Sequence, residues 1–316
     1  MKILILRFSS IGDIVLTTPV MRCIKTQRPE HEIHYATKKQ FGNLLMNNPY
    51  IDKLHLLEDS MSDLISKLKQ EQFDLILDLH NNLRTVNIRT MLRIKRHKLD
   101  KLNWEKWLMV KLKINLLPYR HIVDRYLDTA EELGIVNDGK GLDYFISKDT
   151  QIDHLNLPES YCVYALGGQH NTKKLPPAKQ IELLNSIPEK VVLIGGKEDM
   201  EAGKNLAASV SNAINLCGSL SIDQSALVMQ NSIKVYSHDT GMMHIAAALK
   251  KPIVSIWGNT IPEFGMYPYY PAGFDENHND ILEVPDLSCR PCSKLGYERC
   301  PKGHFNCMNL QVFSEK

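Results

Sequence analysis

Short runs of aliphatic and β-branched residues alternate along this chain with helically patterned segments, and after one interruption the alternation starts again. Lys2–Arg7, Glu32–Ala36, Lys53–Leu57 and Phe73–Leu79 read as strands, and Ile14–Lys25, Phe41–Met46, Ser62–Lys69 and stretches near 83–92, 104–112 and 122–133 as helices. Phe73–Leu79 (FDLILDL) is apolar almost throughout, as a strand covered on both faces must be. Pro19 should kink the helix it falls in. The non-periodic polar stretch Gly139–Pro158 reads as a linker. Beyond it come strands at Tyr161–Leu166, Val191–Ile194, Ala213–Leu216, Lys234–Ser237 and Pro252–Trp257, with helices at Pro177–Ile187, Met200–Val210, Ile222–Gln230 and Met242–Leu249. Strands separated by helices pair in parallel, so the expected fold is α/β, with two doubly wound Rossmann-like domains, residues 1–155 and 156–316, facing a central cleft. The length of 316 residues and a hydrophobic content of 43% are enough for two packed cores.

Ligands in such sheets bind outside the carboxyl ends of the strands, which directs attention to the turns found there. The stretch VYSHDTGMMHIAAALKKPIVSIWG (Val235–Gly258) places Asp239-Thr240-Gly241 between a strand and the positive end of a helix, with His244 one turn further on. Backbone N–H groups, the Thr240 hydroxyl and the bare Gly241 backbone suit a pyrophosphate; an ordinary α/β turn is the alternative. Thr172 and Lys173 lie on the loop after the strand Tyr161–Leu166, where a lysine can neutralise phosphate or simply be a surface residue. Gly195-Gly196-Lys197-Glu198-Asp199 puts acids on a third loop, suited to ribose hydroxyls. Together these three loops offer what a sugar nucleotide needs. In the first half, Asp13 stands at a helix start, and the turn from His80 to Arg84 follows another strand. No G-x-G-x-x-G follows a strand, and G-x-x-x-x-G-K-[ST], H-E-x-x-H and G-x-S-x-G are absent, which disfavours dinucleotide dehydrogenases, P-loop NTPases, zincins and α/β-hydrolases.

The segments KILILRFSSIGDIVLTTPV, TKKLP and SHDTGMMHIAAALKKPIVSIWG, in this order along nearly the whole chain, resemble glycosyltransferase family 9, the bacterial heptosyltransferases that build the lipopolysaccharide core. The resemblance implies a GT-B architecture with an N-terminal acceptor domain, a C-terminal nucleotide-sugar domain, and an inverting, metal-independent transfer needing no catalytic cofactor. It implies that Asp13 of the S-x-G-D motif is the base, with Ser10 and Gly12 on the acceptor side. By the same resemblance Lys173 contacts the donor phosphates, Asp239, Thr240, Gly241 and His244 cradle the pyrophosphate, and an acid near Glu198 binds ribose. Leu175 stands where the family usually has Trp. ADP-heptose is the family's usual donor, and the acceptor implied is an anionic, lipid-linked saccharide. Arg84, His121 and Arg125 are candidates for its anionic groups, or are ordinary helix-surface residues. A nucleotide-sugar epimerase or hydrolase on the same fold is the competing enzyme reading.

Charge and cysteine bound the partners. The formal net charge is only +2, but residues 1–150 hold 24 Lys/Arg against 19 Asp/Glu. Ten basic residues lie between Arg84 and Lys113, with Trp104, Trp107, Leu108 and Met109 interleaved. That stretch suits an anionic membrane face or an anionic substrate, or is a solvated helix face. Near-neutrality argues against a nucleic-acid-binding adaptor. The start, MKILILR, lacks the features of a signal peptide and no apolar run could span a bilayer, so a cytoplasmic location, with peripheral contact at the inner membrane, is expected. Cys289, Cys292, Cys300 and Cys307, spaced C-x2-C-x7-C-x6-C, suit a structural zinc, free thiols or disulfides. Cys23, Cys162 and Cys217 fall in apolar patterns and are expected in the core.

Overall fold

The computed structural model describes residues 1–275 and 278–313. The chain divides into two compact units, Met1–Lys101 with Arg120–Phe145, and Leu102–Tyr119 with Ile146–Lys316. The division falls inside the stretch read as a linker, ahead of residue 155, and Leu102–Tyr119 belongs with the second unit although it lies within the first half of the chain.

In the first unit β1 (Lys2–Leu6), β2 (Glu32–Lys38), β3 (Lys53–Leu57), β4 (Leu75–Asp78) and β5 (Lys95–Lys98) form a parallel sheet in the order β3-β2-β1-β4-β5. Ile3, Leu4, Ile5 and Leu6 are fully buried, each stabilising the fold by roughly 1.5–3 kcal/mol. The helices are α1 (Ile11–Val15), α2 (Thr18–Gln27), α3 (Met61–Gln70), α4 (Leu83–Leu92), then α5 (Asn103–Leu112), which packs with the second unit, and α6 (Ile122–Leu127). The helix expected from Ile14 starts at Ile11 and breaks before α2. Thr17 and Thr18 hydroxyls donate to the carbonyls of Ile14 (2.6 Å) and Val15 (2.7 Å), and Pro19 lies in the first turn of α2, where its missing N–H goes unneeded. Proline thus marks a restart rather than a kink. Strand β5, sequence KRHK, has no apolar pattern to betray it; it is an edge strand, and its charges guard that edge. Arg22 on α2 binds Asp138 and Asp143 and donates to the Gly141 carbonyl, tying down the segment that leaves the unit.

The second unit contains β6 (Tyr161–Ala165), β7 (Lys190–Ile194), β8 (Ala213–Asn215), β9 (Lys234–His238), β10 (Ile253–Ile256) and β11 (Asn279–Leu282), all parallel, in the order β11-β10-β9-β6-β7-β8. Counted within the unit this is the 3-2-1-4-5-6 order of dinucleotide-binding sheets. Helices α7 (Pro177–Asn185), α8 (Met200–Ser209), α9 (Ile222–Asn231) and α10 (Gly241–Ala248) connect the strands, and α11 (Asn306–Asn309) comes late in the chain. Leu166, Leu175, Leu183, Leu193 and Met308 share one buried cluster, so the tail completes the core. Strand order reverses between β1 and β4 in one unit and between β6 and β9 in the other. Those two switch points are where each sheet opens to a ligand. Among the described residues no helix is long and apolar enough to cross a membrane.

Candidate active site

At the switch point of the first unit the loops after β1 and β4 converge on Asp13. Arg7, at the end of β1, donates through Nη1 to the Leu79 carbonyl (2.7 Å) and the Tyr126 hydroxyl (3.1 Å), and through Nε to the Ser9 carbonyl (2.8 Å). Its Nη2 lies 2.5 Å from Asp13 Oδ1. Burial opposes the guanidinium charge, but Asp13, with Tyr126 and Tyr35 nearby, more than offsets this and raises its pKa. The other carboxylate oxygen accepts from the Ser10 hydroxyl (2.7 Å) and the Ser10 N–H (3.1 Å), because Asp13 is the third residue of α1 and reaches back to its cap. Both oxygens are thereby oriented while the side chain stays 22% exposed. Gly12 is buried within α1. The His80 ring accepts the Phe8 N–H at Nδ1 (3.0 Å); burial, then the nearby Arg7 charge, push it down to about 3, so it is neutral. Arg84 lies half-buried over the Phe8 ring, 5.6 Å from its centroid.

The second switch point gathers four loops. Lys173 donates to Asp239 Oδ2 (2.5 Å) and to the Asp239 carbonyl (3.2 Å), joining the loop after β6 to that after β9. The Thr260 hydroxyl, after β10, donates to the same Oδ2 (2.9 Å). Lys174 binds Asp199 (3.0 Å), whose other oxygen accepts the Gly196 N–H (3.0 Å), bringing in the loop after β7. A side chain at Gly168 would press on Thr240 Cγ2 at 3.3 Å and Lys174 at 3.4 Å, so glycine lets these loops close. Thr240 caps α10 and its hydroxyl lies 3.3 Å from that of Ser237; Gly241 is the first helical residue and His244 is buried one turn on. Beneath them His238 accepts the Leu175 N–H (3.0 Å), and burial, then Lys174, lower its ring to about 3. Thr172 exchanges hydrogen bonds with Tyr297, its hydroxyl accepting the N–H (2.8 Å) and donating to the carbonyl (3.0 Å). Thr172 is thus a buried anchor for the tail. Glu198 is exposed on the turn Lys197–Asp199, whereas its neighbour Asp199 is engaged.

Two expectations change. His121 is 2% exposed and caps α6 by accepting the Val123 N–H (3.1 Å), and Arg125 is 7% exposed, donates to the Asp100 carbonyl and has its pKa lowered by burial. Both do internal work that removes them from a surface able to meet an anionic acceptor. The four tail cysteines carry free thiols, without a disulfide. Cys307 has Cys289, Cys292 and Cys300 as electrostatic neighbours, so the tail gathers its four thiols in one place. Among the described residues the three-member set of His, Cys, Asp or Glu ligand atoms within 4.8 Å of one another is His34, His55 and Glu71. That set is not an open site. His34 Nδ1 hydrogen-bonds His55 Nε2 (2.9 Å), and Glu71 already binds Lys2 and Lys53. Cys23, Cys162 and Cys217 are buried, as their apolar surroundings imply. Arg7, Lys174, His238 and Thr260 complete the two sites without having been singled out, and Asp199, read among the acids suited to ribose, holds Lys174 and the Gly196 N–H instead. A cation ending a buried strand was the available sign for Arg7; Thr260 had none, since its loop offers no motif.

The sequence profile described as "Glycosyltransferase family 9 (heptosyltransferase)" matches residues 61–294, about three quarters of the chain. The chain is 24% identical over 313 residues to lipopolysaccharide heptosyltransferase 1 of Campylobacter coli, covering 90% of each. Among solved structures it is similar to a family 9 glycosyltransferase from Veillonella parvula, with a TM-score of 0.74 at 20% identity over 90% of this chain and 88% of that one. It is also similar to the E. coli heptosyltransferase WaaC described with ADP, with a TM-score of 0.69 at 21% identity over 89% and 92%. Two Rossmann-like α/β units of this kind are the GT-B architecture. The profile match over most of the chain therefore establishes that this protein belongs to glycosyltransferase family 9, the heptosyltransferase family.

Proposed function

We propose that the protein transfers a heptose from ADP-heptose to an anionic, lipid-linked acceptor of the lipopolysaccharide-core type, inverting the anomeric centre without a divalent cation, as a peripheral protein at the cytoplasmic membrane face. The observation that carries the reading is the convergence of Lys173, Asp239 and Thr260 at the N-terminus of α10, on the switch point where a nucleotide sheet binds phosphates. The ADP named with the E. coli relative supports the choice of base.

The chemistry sets two tasks. As the acceptor hydroxyl attacks the anomeric carbon it must lose a proton, and Asp13 takes it as general base. Arg7, on one oxygen, and Ser10, on the other, hold the carboxylate in one orientation for the incoming hydroxyl. A hydroxyl that displaces the diphosphate in one step inverts the configuration of the anomeric carbon. The second task is the charge growing on the departing ADP. Lys173, the Thr240 hydroxyl, the Gly241 N–H and the dipole of α10, with His244 behind them, stabilise it, which is the work a divalent cation does elsewhere. Glu198, exposed beside this site, accepts from the ribose hydroxyls. Ser10, Gly12 and Arg84 border the acceptor.

Asp13→Asn keeps the Ser10 contacts sterically possible and removes the base. Its turnover should fall by about 10²–10⁴ while ADP affinity measured by calorimetry stays within about twofold. Wild-type turnover in this variant would take the carboxylate out of the mechanism.

A further inference from the structure

Helix α5 has no buried residue, yet it carries Trp104 and Trp107, 65% and 45% exposed, with their rings stacked at 5.1 Å. The apolar surface continues beyond it through Leu112, Ile114 and Leu116, which are 56%, 47% and 59% exposed. At 100° of turn per residue Trp104, Trp107, Lys111 and Leu112 share one side of the helix. Lys106 faces the other way, 5.8 Å from the Phe264 ring centroid within the same unit. So large an apolar stretch left in water marks a contact surface.

Charge decides among partners. Within Leu102–Tyr119, the part of the segment that belongs to this unit, there are three lysines, Lys106, Lys111 and Lys113, and one acid, Glu105. Protein interfaces deplete lysine. Nucleic acid would match the lysines but give the exposed leucines and isoleucine nothing to bury against. An anionic bilayer satisfies both, since tryptophan favours the headgroup region, aliphatic side chains the acyl boundary, and lysine the lipid phosphates. We infer that α5 and the segment to Leu116 dock the protein on an anionic membrane surface, with Trp104 and Trp107 at headgroup depth. The inference deepens the reading of a lipid-linked acceptor and rests on it for its biological sense, but its test needs neither donor nor acceptor.

Full-length protein is mixed with vesicles of phosphatidylcholine alone or containing phosphatidylglycerol, and association is followed by co-sedimentation and intrinsic fluorescence. Trp257 is 1% exposed, so a blue shift, and quenching by brominated acyl chains, report on Trp104 and Trp107. Association should require phosphatidylglycerol, weaken with salt, fall about tenfold or more in Trp104→Ser/Trp107→Ser, and fall about fivefold or more in Lys111→Glu. ADP binding retained by these variants shows that they fold. Wild-type protein indifferent to anionic vesicles, or a double variant that binds them equally, overturns the proposal. So does a concentration-dependent dimer, or RNA binding, abolished by the same substitutions in protein that ignores vesicles. Protein that binds vesicles but not ADP supports docking and sinks the transferase reading.

Discussion

Replacing Lys173 by methionine separates what its ammonium does for the fold from what it does for the donor. In the structure the group is spent on Asp239, whose Oδ2 lies 2.5 Å away, and the two side chains are only 17% and 11% exposed. Removing one partner of a fully buried pair costs about 3–5 kcal/mol; with this residual exposure, and the Thr260 hydroxyl still donating, about 2–4 kcal/mol is expected. A second substitution, Asp239→Asn, removes the stranded charge, so Lys173→Met/Asp239→Asn should recover most of that loss in urea denaturation. Affinity should behave differently. A charge-assisted contact to phosphate contributes about 1.5–3 kcal/mol, so ADP binding by calorimetry should weaken roughly 10- to 100-fold in the single variant and stay weak in the double. If the double variant regained both stability and ADP affinity, Lys173 would be a structural partner of Asp239 and no phosphate ligand.

Two further outcomes follow from buried groups. Burial lowers His55 to about 4, with His34 beside it, and His80 and His238 to about 3, whereas an unfolded chain protonates histidine near pH 6.5. Between those values the unfolded state binds more protons, so stability is lost as pH falls from about 6.5 towards 4. Each ring contributes up to about 1.4 kcal/mol per pH unit, and urea midpoints that do not drop in that window would contradict the assignment. Leu175 is 2% exposed in the second unit's core, so Leu175→Trp, which restores the residue common in the family, should overpack it and cost about 1–3 kcal/mol, read as a lowered Tm.

Local patterning made the fold legible. Val191–Ile194 and Phe73–Leu79 are apolar because parallel strands are covered on both faces, and the turn at Asp239-Thr240-Gly241 announces the start of a helix through its letters alone. A strand such as β5 escapes that reading, since its pairing with β4, and not its own KRHK, makes it a strand. His121 and Arg125 show the opposite error. A cationic or titratable letter says nothing of whether its side chain ends in water or on a backbone carbonyl, and here both are buried.

The sequence by itself determined the order of strands and helices, the family, and the loops that carry Asp13, Lys173 and Asp239, because these depend on periodicity and turn chemistry between near neighbours. Only the tertiary structure decided that Arg7 orients Asp13, and that Lys173, Asp239 and Thr260 form one hydrogen-bonded group. Contacts of that kind join residues far apart in the chain, and their distances are set by the strand order and by how side chains fill the space between elements.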